Sequence, residues 1–261
     1  MIGPGAGSGW EDSVRPVKRI GLALGGGVVR GLAHIGVLRV FEREQIHADV
    51  ICGTSIGAVV GGAYASGLAL DEMAALASRL RWRHLVHPAL GRRSFLDTER
   101  FARFLESTVI TARDFTDLNC TYGAVACEIV SGGRVALTRG DPARAARASA
   151  AIRRIFPPVV IEGRRLVDGT VVDAVPVGLA RELGATYVIG VDVLPRPPRG
   201  TLGPSATPDR MIRPTVDQHA AWNFTRVDQL VALGEEAATA ALPEIRRDLE
   251  GREPNGVSRL G

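Results

Sequence analysis

The sequence predicts an α/β protein with three layers (α/β/α), in which helices cover both faces of a mostly parallel central sheet. Short apolar runs alternate with segments of helical periodicity along most of the 261 residues. Residues 186–193 form an almost wholly apolar run, which is typical of a strand buried on both faces. The apolar fraction of 46% and the charged fraction of 23% exclude a disordered or collagen-like chain.

The first half of the chain is predicted to contain two strands, each followed by a glycine-rich turn and a helix. Apolar residues recur every three or four positions after the first turn, as at Leu32, Ile35 and Leu38. Asp71 and Glu72 suit the N-terminus of a further helix. In order, the expected elements are strand 18–24, helix 31–44, strand 49–52, helix 56–66, helix 71–80 and helix 98–106.

The second half is predicted to supply two hairpins and the rest of the sheet. Glycine pairs or Glu-Gly mark the hairpin turns, and Pro142 stands at a favoured first helical position. Six prolines make residues 195–214 a long loop. In order, the expected elements are hairpin 121–138, helix 141–152, hairpin 159–167, helix 175–183, strand 186–193 and helix 217–241.

A single domain over residues 17–250 accounts for these elements, because α/β chains of this length are often single domains. Residues 1–16, with their glycines and prolines, are expected to form a flexible leader, and residues 251–261 a flexible tail. Residues 50–70 carry no charge and are long enough to span a membrane. Their five glycines favour a buried strand followed by a closely packed helix instead.

The balance of basic and acidic residues limits the classes of partner that the protein is expected to bind. The 32 basic residues, of which only Lys18 is a lysine, outnumber the 28 acidic residues by four, and both signs are interspersed. This pattern argues against a nucleic-acid-binding protein, although it would suit an anionic membrane surface or a phosphate-bearing substrate. The start of the chain lacks the apolar core of a signal peptide. Cys52, Cys120 and Cys127 form no C-x-x-C pair or disulfide framework. We therefore expect a cytoplasmic protein, with peripheral contact at the inner membrane face as a further option.

The strongest chemical signal is the G-x-S-x-G pattern of residues 53–57, between an apolar run and a Gly/Ala-rich helix. A serine nucleophile needs a tight strand-to-helix turn that holds its Oγ clear of the backbone, and Gly53 and Gly57 permit the close packing. The helix N-terminus also favours developing negative charge. Ser55 is therefore the candidate nucleophile. The alternative is a turn whose glycines only let the helix approach the sheet.

Three residues are candidates for the base that would activate Ser55. The usual order of a Ser-Asp-His triad leaves only His219 late enough in the chain, but it lies on a predicted helix. Asp168 follows an apolar run and precedes a glycine, so its carboxylate is expected at a strand end, where it could accept the serine proton. Asp173 is the competing carboxylate from the same segment. A turn aspartate that bonds only its own backbone is the alternative to both.

A second glycine-rich turn, residues 24–31, also connects a predicted strand to a helix. Its backbone amides could converge on an oxyanion or on a phosphate. The chain contains no Gly-Lys-Ser/Thr of a Walker A loop. The dinucleotide pattern G-x-G-x-x-G also fails, because it would require glycine at Arg30 or at Val28.

Taken together, three segments resemble the bacterial branch of the patatin-like phospholipase family. They are GLALGGGVVRGLAHIGVL (21–38), GTSIGAVVGGAYASG (53–67) and ASAAIRRIFPPVVIEGRRLVDGTVVDAVPV (148–177), in the family's order and spacing. The resemblance implies a three-layer α/β/α fold and hydrolysis of acyl lipid esters by a Ser-Asp dyad without histidine or cofactor. It implies Ser55 as the nucleophile and Asp168 as the base. It places the oxyanion hole in the loop of Gly25, Gly26, Gly27, Val28 and Arg30.

Three features, at four positions, depart from the family's pattern. Val28 stands where glycine is frequent, and because a β-branched residue resists positive φ, the set of inward-pointing amides is left open. Thr170 follows Asp-Gly where glycine or alanine is common. Arg153 and Arg154 replace a frequent Pro-Gly pair. If they face the pocket they could hold a lipid phosphate, and if they face solvent they only end an arginine-rich helix.

The sequence thus predicts a lipid acyl hydrolase that works through an acyl-enzyme. The alternatives are a conventional serine esterase that uses His219 and a non-catalytic regulator that binds acyl lipids. No metal is indicated, since His84-x-x-His87 lacks a third ligand nearby. Residues 81–96 mix aromatic, aliphatic and arginine side chains, which is compatible with a lid, an interfacial contact or a packed peripheral segment.

Overall fold

The computed structural model describes residues 18–79, 102–153, 155–194, 207–219 and 224–251. The predicted leader (1–16), the candidate lid (81–96) and the tail beyond residue 251 lie outside these ranges. His84, His87 and Arg154 lie outside them as well. The three cysteines are all described, and all are free.

Strands and helices alternate along the described chain. The strands are β1 (Ile20–Leu24), β2 (Val50–Thr54), β3 (Thr121–Glu128), β4 (Arg134–Leu137), β5 (Val159–Ile161), β6 (Arg164–Asp168), β7 (Tyr187–Val191) and β8 (Arg210–Ile212). The helices are α1 (Ala33–Arg43), α2 (Ile56–Ala65), α3 (Leu70–Arg79), α4 (Pro142–Ser149), α5 (Val177–Glu182) and α6 (Val227–Glu250). The helix expected at 98–106 is described from residue 102 and continues through a π-helical turn, Leu105–Val109.

The described strands form one mixed sheet. Its pairing order is β5-β6-β3-β2-β1-β7-β8, and β4 pairs with β3 as well. The pairings that join β3, β2, β1, β7 and β8 are parallel, whereas those of β4, β5 and β6 are antiparallel. The predicted mostly parallel sheet is therefore confirmed.

The two faces of the sheet bury different clusters, because side chains alternate along each strand. Leu22, Leu24 and Ile51 belong to a large core shared with α1, α2, α3, α4 and α6. Ala23 and Cys52 face the other way, into a smaller cluster shared with α5. The three-layer arrangement is confirmed, and the layer that contains α5 is the thinner one in the described chain.

Two predictions for the last third of the chain are wrong. Residues 195–214 were expected to be a loop throughout, but Arg210–Ile212 form β8, which extends the sheet beside β7. A strand of three residues is too short to show a periodicity. The last helix, predicted over 217–241, begins at Val227 and ends at Glu250, and residues 217–219 form a turn. Burial on α6 continues as far as Ile245, which explains its later end.

Two glycines bring α1 and α6 into close contact. A Cβ atom built on Gly36 would lie 1.9 Å from the backbone oxygen of Val231, and one on Gly234 would lie 1.9 Å from the backbone oxygen of Ala33. Backbone atoms cannot rotate aside as a flexible side chain can. The crossing therefore requires glycine on both helices, and it fixes α6 against the helix that follows the first glycine-rich loop.

Gly234→Ala is expected to lower the free energy of unfolding by about 1–3 kcal/mol, because the added methyl group overpacks the crossing. Helix propensity alone would give the opposite sign, a gain of about 1 kcal/mol. Urea unfolding measures the difference. Thr239→Ala, at an exposed position of the same helix, is the control and should leave stability unchanged or slightly raised. Unchanged stability in Gly234→Ala would contradict the close crossing.

Candidate active site

Ser55 lies at the junction of β2 and α2, in the turn that the G-x-S-x-G pattern predicts. Its backbone angles are φ 55° and ψ −123°, a strained conformation of the kind that persists where the surrounding structure enforces it. A Cβ atom on Gly53 would lie 2.3 Å from the amide nitrogen of Ala58, and one on Gly57 would lie 2.1 Å from the oxygen of Leu24. Only glycine fits at these two positions, so the turn holds Ser55 at the helix N-terminus.

The pairing register of β3 places the end of a second strand, β6, next to Ser55. Val125 pairs with Thr54, at the end of β2, on one edge of β3 and with β4 on the other edge. The next residue, Ala126, pairs with β4 and with Asp168, at the end of β6. A residue within a strand can pair on only two sides. Because β4 occupies one side of β3 at both Val125 and Ala126, β6 lies on the other side, the same side as β2. The two strands run in opposite directions and their carboxyl ends meet.

This meeting of strand ends creates a direct contact between the two predicted residues, which are 113 positions apart in the chain. The Ser55 hydroxyl donates to Asp168 Oδ2 at 2.5 Å. The amide of Thr170 donates to Asp168 Oδ1 at 2.8 Å. Both residues are buried, with 3% of Ser55 and 8% of Asp168 exposed.

Burial raises the pKa of the Asp168 carboxyl, and hydrogen bonds from Ser55 and Thr170 oppose this rise. A raised pKa makes the carboxylate a stronger base than an ordinary aspartate. Proton transfer from a serine hydroxyl to a carboxylate is favoured by such a change. The burial of Asp168 therefore suits it to accept the Ser55 proton.

Three hydrogen bonds at and just beyond the end of α4 hold this arrangement. Ser149 Oγ accepts the amide of Ser55 at 2.8 Å and donates to the oxygen of Val125 at 2.5 Å. The amide of Asp168 donates to the oxygen of Ala151 at 2.9 Å. The sequence analysis missed Ser149, because a serine at a helix end has many ordinary uses and no motif marks this one.

The first glycine-rich loop offers fewer free amides than the resemblance implies. The amide of Gly25 donates to Val191 at 2.9 Å, and the amide of Gly26 donates to Ala174 at 3.0 Å. The amide of Arg30 donates to the oxygen of the third loop glycine at 3.2 Å. Amide protons already bonded within the fold cannot also stabilise a substrate oxygen. Three of the five residues in the predicted oxyanion hole therefore have amides that are already hydrogen-bonded within the fold.

The other two residues of the predicted oxyanion hole are Gly27 and Val28. Within the described chain their amides donate to no acceptor, and both residues line the cavity that contains Ser55 and Asp168. Val28 has φ 53°, a region that β-branched residues rarely adopt. Val28 therefore adopts the positive φ that a β-branched residue resists, at a cost on the order of 1–3 kcal/mol.

His34 supports the same loop from α1 and was also missed. It is fully buried, and its Nε2 donates to the oxygen of Gly25 at 2.8 Å. In the described part of the chain its Nδ1 has no hydrogen-bond partner. Burial lowers the pKa of His34 to about 4, so the imidazole is neutral at physiological pH. Its role is to position the loop backbone.

Asp173 and His219, the competing candidates, are not brought to Ser55. The buried Asp173 carboxylate accepts from Arg134 Nε at 2.9 Å and forms an ion pair with this partly buried arginine. His219 lies in a turn, and its backbone oxygen accepts from Arg30 Nε at 2.8 Å. Neither residue belongs to the described lining of the cavity at Ser55. The geometry thus favours a dyad over a triad.

A cavity of about 280 Å³ contains Ser55 and Asp168. Its described walls include the apolar residues Val28, Ile152, Val171 and Leu194. Two arginines, Arg30 and Arg153, also line it. Among the described residues no group of three metal-ligating side chains occurs. The helices in the same part of the chain include none that is long and apolar enough to cross a membrane.

A buried serine on a strand–turn–helix elbow, with a carboxylate as its hydrogen-bond acceptor, is the arrangement expected of a serine hydrolase. The family profile described as patatin-like phospholipase matches residues 22–181, and the chain belongs to this family. An uncharacterized NTE family protein of Mycobacterium tuberculosis is 33% identical over 227 residues, which cover 86% of this chain and 60% of the relative. Lysophospholipase NTE1 of Candida albicans is 32% identical over 182 residues, which cover 67% of this chain and 13% of the relative. The chain therefore spans 60% or less of the length of these curated relatives.

Two solved structures share the fold. VipD from Legionella pneumophila superposes with a TM-score of 0.62 at 12% identity, over 88% of this chain and 67% of that chain. The type III effector protein ExoU has a TM-score of 0.52 at 14% identity, over 88% of this chain and 53% of that chain. At these identities the likeness shows the α/β architecture alone.

The neutral, buried imidazole of His34 predicts a loss of stability in mild acid. Its pKa is 6.5 in the unfolded chain and about 4 in the folded protein, so the unfolded state binds more protons between these values. Stability therefore falls as pH falls through this window, by about 2 kcal/mol between pH 7 and pH 5. Urea unfolding at both pH values should show this extra loss in the wild type relative to His34→Gln.

The control for this prediction is His47→Gln, which removes an exposed imidazole and should behave as the wild type does. An equal acid loss in the wild type and in His34→Gln would contradict the burial of a neutral imidazole on the loop.

Proposed function

We propose that the protein hydrolyses acyl esters of lipids, as a serine carboxylic ester hydrolase that uses Ser55 and Asp168. The observation that carries this proposal is the 2.5 Å hydrogen bond from Ser55 Oγ to Asp168 Oδ2, in a cavity with largely apolar walls. Membership of the patatin-like phospholipase family supports a lipid as the substrate class. The lysophospholipase name of one relative points the same way.

The reaction begins with attack of Ser55 Oγ on the ester carbonyl carbon, while the Asp168 carboxylate accepts the hydroxyl proton. Negative charge moves to the carbonyl oxygen. The amides of Gly27 and Val28 are the candidate donors to this oxyanion, and one such donor typically contributes roughly 10²–10³ in rate. The N-terminus of α2 adds a favourable dipole.

The intermediate then collapses toward an acyl-enzyme. The carbon–oxygen bond to the alcohol breaks, Asp168 gives its proton to the departing alkoxide, and the acyl group stays on Ser55. A water molecule next transfers a proton to Asp168 and attacks the acyl carbon. Collapse of this second intermediate releases a fatty acid and returns the proton to Ser55. The residues thus return to their starting states without a metal or cofactor.

Ser55→Ala and Asp168→Asn are each expected to lower kcat for hydrolysis of a soluble acyl ester by at least about 10³-fold, because the two side chains act as a unit. Ser66→Ala, at the far end of α2, is the matched control and should retain activity, as should His219→Ala. Circular dichroism would verify the fold of each variant. Activity in Asp168→Asn, or its loss in His219→Ala, would contradict the dyad. A wild type that binds acyl lipids without any hydrolysis would favour a non-catalytic regulator.

The pH dependence of kcat/KM should report the ionisation of Asp168. Because burial raises its pKa, activity is expected to rise with pH through an inflection above the ordinary aspartate value of about 3.9. The Thr170 side chain also hydrogen-bonds to Asp168 and opposes the rise in pKa. Thr170→Val removes this hydroxyl and keeps the amide, so it should move the inflection to higher pH. Thr116→Val, at an exposed position, should leave it in place. An inflection that moves to lower pH in Thr170→Val would overturn this assignment.

A further inference from the structure

Arg153 lies in a turn that is anchored to the catalytic dyad. Ser149 bonds to the amide of Ser55, and the oxygen of Ala151 accepts the amide of Asp168 at 2.9 Å. Arg153 follows two residues later and lines the same cavity as the dyad. The anchored backbone therefore fixes the position of the Arg153 Cα atom, two residues along the chain from Ala151, which bonds directly to Asp168.

The guanidinium of Arg153 has no partner that would give it a structural role. It is exposed, and within the described chain it makes no hydrogen bond and no ion pair. Nearby arginines differ in this respect. Arg30 donates to the backbone oxygen of His219, and Arg144 donates to the backbone oxygen of Val160. An exposed cation that has no hydrogen-bond or ion-pair partner among the described residues, in the lining of an otherwise largely apolar cavity, is an arrangement suited to an anionic ligand.

The charge at the cavity favours an anion. Its described lining contains two guanidinium groups, on Arg30 and Arg153, and one carboxylate, on Asp168. Both oxygens of that carboxylate are already hydrogen-bonded. The excess positive charge would attract an anionic substrate, while Ile152 and Val171 offer apolar surface on the same wall.

We propose that Arg153 binds the phosphate group of an anionic acyl lipid and thereby sets a preference for phosphate-bearing esters. This inference rests on the proposed function of the dyad. A guanidinium presents two parallel N–H donors that match two phosphate oxygens, which an ammonium group cannot do. In an acyl glycerol phosphate the ester and the phosphate share one glycerol unit, so a cation beside the reacting carbonyl is within reach of the phosphate. Arg153 is a specificity-determining residue in this account.

The experiment compares an acyl glycerol phosphate with the uncharged monoacylglycerol of the same acyl chain, both below their micelle concentrations. It uses the wild type, Arg153→Gln, Arg153→Lys and Arg139→Gln. Arg139 is exposed and paired with Glu162, outside the described cavity lining, so its loss removes the same charge elsewhere. The quantity measured is the ratio of kcat/KM for the phosphate ester to kcat/KM for the neutral ester.

In Arg153→Gln this ratio is expected to fall about tenfold, mainly through KM of the phosphate ester. The ratio for Arg153→Lys should lie between those of the wild type and Arg153→Gln, and the ratio for Arg139→Gln should equal that of the wild type. An unchanged ratio in Arg153→Gln, or an equal fall in Arg139→Gln, overturns the inference. Either result leaves the proposed hydrolysis intact, whereas a folded wild type that cleaves neither ester refutes both.

Inhibition by inorganic phosphate tests whether Arg153 recognises a lipid headgroup or a free phosphate ion. It is added as an inhibitor of monoacylglycerol hydrolysis by the wild type and by Arg153→Gln. Weak inhibition in the wild type together with the ratio change supports recognition of the headgroup. Strong inhibition that depends on Arg153, with no preference for the phosphate ester, would assign the site to a free anion and overturn the inference.

Discussion

The pairing of β3 is the constraint on which the rest of the structure depends. Its consecutive residues Val125 and Ala126 hold the ends of β2 and β6 on one edge, so that Ser55 and Asp168 meet although 113 positions separate them. A shift of one residue in either pairing would turn the strand's side chains to the opposite face. The hydrogen bond between the two side chains is therefore a product of sheet register, and the flanking close-packed glycines are what allow the backbone to hold it.

Single buried side chains hold the backbone around the site in place. Ser149 ties the amide of the nucleophile to β3, and His34 ties the glycine-rich loop to α1. Val28, in the same glycine-rich loop, has a positive φ. Strain of this kind persists only when the surrounding contacts outweigh it. The amides of Gly27 and Val28, which have no acceptor in the described chain, are thus held in place without a substrate, as stabilisation of a transient oxyanion would require.

The sequence predicts the parallel core and the nucleophile because each rests on a local pattern. Apolar runs identify the buried strands, and the elbow motif identifies Ser55. Local pattern could not choose between Asp168 and Asp173, since both belong to one segment. The family resemblance implies Asp168, and the register of β6 places its carboxylate against Ser55. The short strand β8 and the supporting residue His34 carry no periodic signal. The engagement of the Gly25 and Gly26 amides depends on acceptors more than a hundred residues away, and for that reason no local pattern could reveal it.

The central claim is that Asp168 activates Ser55 directly. The most direct measurement is the rate at which a fluorophosphonate forms a covalent adduct, with the modified residue located by peptide mass spectrometry, in the wild type and in Asp168→Asn. The account predicts an adduct on Ser55 in the wild type and labelling slower by at least about 10²-fold in the variant. An adduct on another residue, or equal labelling rates in the two proteins, would contradict it.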